Sequence, residues 1–480
     1  MTVLDATALA ALIRSGELTP TDAIEQAIAR VEALNPSLNA IVETGFEEAR
    51  AAAAALAEGS VIDLPLAGVP MALKDLFCAR EGDPAYFGNA LLKSLDYGYT
   101  ETSAVARRFS RAGAVSLGRT HSPEFGYGNC TAAAETALYG PTRNPWAPGR
   151  TAMGSSGGAA AAVAAGVIPV AHGSDGGGSI RMPASACGLV GLKPSRGRVS
   201  SAPAGEVWSG GCSEGVLSRT VRDTALVLDV LAGPEPGDPY TAPPPSSSYV
   251  EVIETQAPPL SIGVAEGFAY TETHAECRAA VRAAAALLER LGHRLHHGKP
   301  NALDSLDYLY DYMVVIRAAL ATDLKALAGA LGHEWTEGDM ENGSWVQYQR
   351  GQRISAVDFD TAIRGMQRWT RQVVAWWHEG NDLLLLPTLA TPPPETGYLT
   401  GGTEPDRRAR LAATIPFTPP FNVTGQPAIS LPLHWTPDGL PVGVQLVAAP
   451  GREDRLLQVA AALEREVNWG EKLPPVFAGR

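Results

Sequence analysis

Apolar residues recur every three or four positions in some stretches of the chain and run together in short blocks in others. The first pattern predicts helices with one buried face; the second predicts buried strands. Ile24, Ala27, Ile28, Val31 and Leu34 make one such stripe, behind Thr19 as cap and Pro20 at the first helical position. Asp5 caps a shorter helix that reaches Arg14, and residues 46–57 make an alanine-rich one. Further helices are expected over residues 102–111, 219–231 and 275–291, and residues 303–379 read as mainly helical. Apolar blocks at 66–74, 114–117, 167–171, 261–265 and 382–386 read as strands. Residues 82–100, rich in Gly, Asp and Tyr, are expected to be a loop. Residues 233–248, rich in Pro, Ser and Gly, are expected to be a surface connection. Elements interleaved in this way predict an α/β fold, with a mixed, twisted central sheet flanked by helices on both faces.

The stretch that carries chemistry is residues 153–198. MGSSGG (153–158) and GGGS (176–179) are glycine turns that each bear serine, and they bracket a helix of tiny side chains (159–165) and a strand (167–171). A loop, helix, strand and loop can return two distant serines to one place. Taken alone, glycine turns are ordinary punctuation. No Gly-Lys-Ser/Thr ending marks a phosphate loop, no GxGxxG marks a dinucleotide site, and no GxSxG marks a serine–histidine–aspartate hydrolase. His172, close to Ser179 in sequence, reads as a core histidine with its hydrogen bonds satisfied.

Length and composition narrow the classes. At 480 residues the chain can bury a large core, and residues 1–480 are read as one domain. A net charge of −13 argues against a nucleic-acid surface. Cys78, Cys130, Cys187, Cys212 and Cys277 are an odd number without paired spacing, as in a reduced cytoplasmic protein. Residues 1–15 lack the basic start and apolar run of a secretory signal, and no stretch reaches the length of a membrane span. No CxxC or HExxH suggests a metal, His293, His296 and His297 read as a solvated strand end, and no motif calls for a cofactor. Monomer and homo-oligomer both stay open.

The residues of 153–198 resemble the signature region of the amidase signature family, whose pattern is GGSSGG, a small-residue helix, GSDTGGSIRxPA and GLKPTxGR. Here these stand as MGSSGG, GSDGGGSIRMPA and GLKPSRGR. The likeness extends more weakly over nearly the whole chain. LAGVPMALKD (66–75) is similar to the family's segment with the catalytic lysine, and GRTHSPEFGYGNC (118–130) to a segment lining the pocket. NPSLNAIV (35–42) is similar to the family's lead into the core sheet. TRNPW (142–146) and FTPPFNVTGQPAISLPL (417–433) most resemble the branch containing aminohexanoate cyclic-dimer hydrolases.

That resemblance implies the amidase signature fold, with a signature core at about 60–232, a variable helical region covering the pocket at about 303–379, and a return to the sheet at about 380–480. It implies hydrolysis of a small linear or cyclic carboxylic amide through an acyl-enzyme. Ser179 would be the nucleophile, Ser155, on a cis peptide, the bridging serine, and Lys74 the base. Lys74 can serve only when neutral, so burial has to lower its pKa. Gly176, Gly177 and Gly178, with the Ser179 N–H, would form the oxyanion hole. Tyr127, Gly128 and Asn129 would touch substrate, although Tyr127 reads equally well as packing. Asp175 and Arg181 would brace the turn. Two departures stand out: Met153 replaces a glycine before the first serine, and Gly176 replaces a threonine, which predicts a looser turn. Two rival readings are the glutamine-hydrolysing subunit of a tRNA-dependent amidotransferase and a non-catalytic binding protein on the same fold.

Overall fold

A computed structural model describes residues 4–59, 61 and 63–479; residues 1–3 of the opening segment read above lie outside them. The strands that position the site are β1 (Ile41–Thr44), β2 (Pro70–Lys74), β3 (Val115–Thr120), β4 (Val170–Asp175), β5 (Val190–Lys193) and β6 (Ser213–Ser218). They are followed by β7 (Ser261–Val264), β8 (Arg294–His297), β9 (Leu383–Pro387), β10 (Ala428–Trp435) and β11 (Pro441–Ala448).

Eight of these strands form one mixed sheet in the order β8-β7-β9-β11-β10-β5-β6-β4. β7 is parallel to both β8 and β9, and the remaining neighbours are antiparallel. The Ala275–Arg290 helix makes the crossover that a parallel β7–β8 pair requires. In β9, successive leucines point to opposite faces: Leu383 and Leu385 join one hydrophobic core, Leu384 and Leu386 another. The first face is covered by the helices Val221–Leu231, Ala275–Arg290 and Glu453–Val467, the second by Asp307–Leu331 and Ala356–Ala375. A strand with both faces buried has no polar side to show, which is why LLLL appears as an unbroken run. Among the described residues no helix is long and apolar enough to cross a membrane.

β2 and its lysine lie outside this sheet. They belong to a three-stranded sheet, β1-β3-β2, set against the edge strand β4. The junction replaces a backbone ladder bond with a side chain: the Lys74 N–H donates to His172 Nδ1 at 3.3 Å. The ring's Nε2 is bonded to the Glu214 carboxylate on β6. His172 is therefore the satisfied core histidine expected, and it also ties one sheet to the other.

The signature helix, Gly157–Ala164, is buried along its whole length and packs into a third core with the Pro20–Leu38 helix and β3. Glycine is needed where it begins. A Cβ on Gly158 would sit 2.4 Å from the Ala40 carbonyl and the His121 nitrogen.

Three local expectations differ from the structure. The strand after the signature helix begins at Val170 and runs to Asp175, later than the apolar run 167–171, because its inner face carries His172 and Ser174 in buried hydrogen bonds. Residues 82–100 include a short helix, Ala90–Ser94, capped by the Asn89 side chain. The second helix continues across Asn35 and Pro36 to Leu38, and the β1 strand that follows it enters the smaller sheet.

Candidate active site

β2 and β4 end side by side, and the two serine turns close over their ends. Lys74 is the last residue of β2 and is fully buried. Its Nζ lies 2.6 Å from Ser155 Oγ and 2.9 Å from Ser174 Oγ. Burial pulls the Lys74 ammonium down to about 8, while the neighbouring Cys212, Glu214 and Asp175 act in the opposite direction. The Gly154–Ser155 peptide is cis. The Ser156 N–H donates to the Ser179 carbonyl at 3.2 Å and joins the two turns.

Ser155, Ser174 and Ser179 line one cavity of about 560 Å³. Tyr127, Gly128, Asn129, Gly176 and Gly177 line it as well. The Tyr127 hydroxyl donates to the Ile316 carbonyl at 3.0 Å, so this residue both packs and faces the cavity. Asn129 accepts the Gly343 N–H on its side-chain oxygen at 3.2 Å and shares in anchoring the helical cover. Sequence reasoning passed over Ser174. Its one signal was the alternation along HGSD, which puts His172 and Ser174 on the same face of β4, toward the lysine.

The turn at 176–179 is held from every side. The Asp175 carboxylate accepts N–H groups from Gly178 at 2.7 Å, Ile180 at 3.2 Å and Arg181 at 3.3 Å. It also accepts two guanidinium bonds from Arg181, at 2.9 and 2.8 Å, and a side-chain amide bond from Asn422 at 2.9 Å. Burial alone would raise the Asp175 carboxyl, but Arg181 and Asn422 hold it well below the usual carboxylate range. The Gly176 carbonyl accepts the Tyr312 hydroxyl, and the Gly177 carbonyl accepts Thr418 Oγ1 at 2.7 Å. Asp175 and Arg181 thus brace the loop as expected. The expectation that Gly178 donates to an oxyanion needs correction, because its N–H is spent on Asp175. Gly176, Gly177 and Ser179 are the N–H groups of the turn without that commitment.

The looser turn predicted from Gly176 is also corrected. A Cβ there would lie 2.2 Å from Trp208 Cζ3, so the indole occupies the space that the family's usual threonine would fill. Trp208 and Ser209 hold positive φ values of 55° and 57°, and the indole stacks edge-on against Phe77. Met153 also has positive φ, at 60°, and is wholly buried beneath the first turn. Gly176→Thr should destabilise the fold by about 1–3 kcal/mol through overpacking against the indole. Denaturant unfolding of Gly176→Thr and of Gly176→Thr/Trp208→Ala checks this, since the second change should recover part of the loss. Equal stability of Gly176→Thr and the parent would mean that the indole moves freely aside.

Residues 22–457 match the family model described as Amidase. The chain belongs to the amidase family. It is an amide hydrolase, acting on carbon–nitrogen bonds other than peptide bonds. This amidase is 42% identical to the 6-aminohexanoate-cyclic-dimer hydrolase of Paenarthrobacter ureafaciens, over 98% of its own length and 97% of the relative's. Its fold superposes on a 6-aminohexanoate cyclic dimer hydrolase complexed with substrate with a TM-score of 0.94, at 40% identity and 99% coverage of both chains. A bacterial aryl acylamidase of the amidase signature enzymes gives a TM-score of 0.88 at 28% identity, again over 99% of both chains.

Proposed function

We propose that the enzyme hydrolyses small linear or cyclic carboxylic amides through an acyl-enzyme on Ser179, with Ser155 and Lys74 as its proton relay. The observation that carries this reading is a buried amine 2.6 Å from the Oγ of Ser155, a serine that lines the same cavity as Ser179. With Lys74 neutral, Ser155 gives its proton to Nζ and takes one from Ser179 as that oxygen attacks the carbonyl carbon. The N–H groups of Gly176, Gly177 and Ser179 receive the developing oxyanion. The proton returns along the same path to the leaving amine, and water then releases the acid. Ser174, 2.9 Å from Nζ, is the amine's second partner and helps keep it aimed at Ser155.

The likeness to cyclic-dimer hydrolases favours cyclic and secondary amides as substrates. We read the chain as one amidase domain, since the cavity wall draws on the signature core, the helical cover and the C-terminal segment alike. Free thiols at all five cysteines fit a cytoplasmic setting.

Product release from cyclic, aryl and primary amides and from glutamine tests the reading. Cleavage of secondary or cyclic amides is expected. Ammonia from glutamine alone would replace it with the amidotransferase-subunit reading.

A further inference from the structure

The cavity carries three arginines and two glutamates that the relay does not use, Arg317, Arg407, Arg408, Glu272 and Glu404. The Asp307–Leu331 helix forms one wall. Its Tyr312 bonds the Gly176 carbonyl of the oxyanion turn, and Arg317 follows five residues later. At 1.5 Å per residue, the Arg317 backbone lies about 7.5 Å farther along the helix axis. Met313 precedes Arg317 by four positions, on the same helix face, and both line the cavity. Along the helix, away from the Tyr312 contact, the wall therefore passes from apolar Met313 to cationic Arg317.

Arg317 is half-buried, and its Nε donates to Gln347, a neutral partner, at 2.8 Å. Arg408, an exposed residue of the Glu404–Thr414 helix, lines the same cavity. Among the described residues neither arginine has a carboxylate within ion-pair distance. Glu404 also lines this wall, but Arg350 holds it at 3.0 Å. Arg407 is bonded to the Gly402 carbonyl and to Asn342. Glu272 lines the cavity too, from the segment that precedes the Ala275–Arg290 helix. Arg350 and Arg408 both lie close enough to Arg317 to repel it, and Glu404, a counter-charge near Arg317, is already paired with Arg350. Guanidinium groups that outnumber the carboxylates beside them are stabilised by a ligand that supplies another, and a carboxylate matches their planar fork.

We propose that Arg317 and Arg408 form a carboxylate subsite, so that the enzyme prefers amides carrying a carboxylate several carbons from the scissile bond. This rests on the cavity being the substrate site and deepens that reading: the apolar stretch takes a methylene chain and the arginines take its charged end. An uncharged cyclic amide fills the apolar part alone and gains nothing from them.

The test uses two series of four to ten carbons, monoamides of linear dicarboxylic acids and N-acetyl ω-amino acids. Each is compared with its methyl ester. In one series, at a preferred length, kcat/KM for the acid should exceed that for the ester by about 10- to 100-fold, the range for a charge-assisted hydrogen bond. Arg317→Gln and Arg408→Gln should bring that ratio toward one. The ratio is the readout, because a general loss of activity leaves it unchanged. Calorimetric binding of the same pairs to Ser179→Ala protein removes the need for turnover, and the acids should bind more tightly than the esters. A ratio near one at every length in both series, or a preference that survives both substitutions, overturns the subsite. Failure of amide turnover in every series would count against the relay instead, and the binding comparison would still decide the subsite.

Discussion

Ser179→Ala is expected to reduce amide turnover to the background of the uncatalysed reaction while the protein stays folded. In the proposed mechanism this hydroxyl is the atom that forms the acyl bond. Removing the nucleophile of a hydrolase that acts through a relay costs ~10⁶-fold in kcat. The turn should survive the change, since its geometry is set by Asp175, Arg181, Tyr312 and Thr418, not by the Ser179 side chain. The parent enzyme, quenched during turnover of an activated ester and examined by mass spectrometry, should carry an acyl group on the peptide containing Ser179. The alanine variant should carry none. Turnover by the alanine variant above background would end the mechanism proposed above.

Lys74→Ala should cost ~10⁴–10⁶-fold in kcat/KM, with a pH profile that separates a base from a structural lysine. The reactive form is the neutral amine, and burial sets its pKa at about 8. The neutral fraction, and with it kcat/KM, should rise tenfold per pH unit below that value and level off above it. A profile that falls between pH 6 and pH 8 would assign the base elsewhere. Lys74→Arg tests the same point, because a guanidinium stays protonated throughout this range and should be as inactive as alanine. Recovery of activity in Lys74→Arg would mean that charge, and not proton transfer, is what this position supplies.

The fold class was legible because its signals are local. The β9 leucine run, the stripe from Ile24 to Val31 and the caps at Asp5 and Thr19 each act within a few residues, and each stands where the pattern predicted. Lys74, Ser155 and Ser179 were picked out through motifs, whose spacing records a shared ancestry and not a measured distance. The errors share a cause. Gly178 looked like an oxyanion donor because nothing in GSDGGGS shows that Asp175 folds back to take its N–H. Gly176 looked like a loss of packing because the indole that fills its place comes from Trp208, beyond the β5 strand and before β6 begins.

The sequence by itself determined most of the secondary structure, the α/β class and the family, and its motifs picked out the residues that the proposed chemistry uses. Short-range spacing and side-chain type suffice for these. Only the tertiary structure decided what those residues do to one another. It set Lys74 against serines 81 and 100 residues away, put Ser174 beside the amine and His172 between two sheets, and gathered Arg317 and Arg408 in the lining of one cavity. The lowered lysine pKa is a product of burial, and the meeting of two guanidiniums without a carboxylate partner of their own is a product of proximity. Those quantities exist only once the chain has excluded water and closed its long loops.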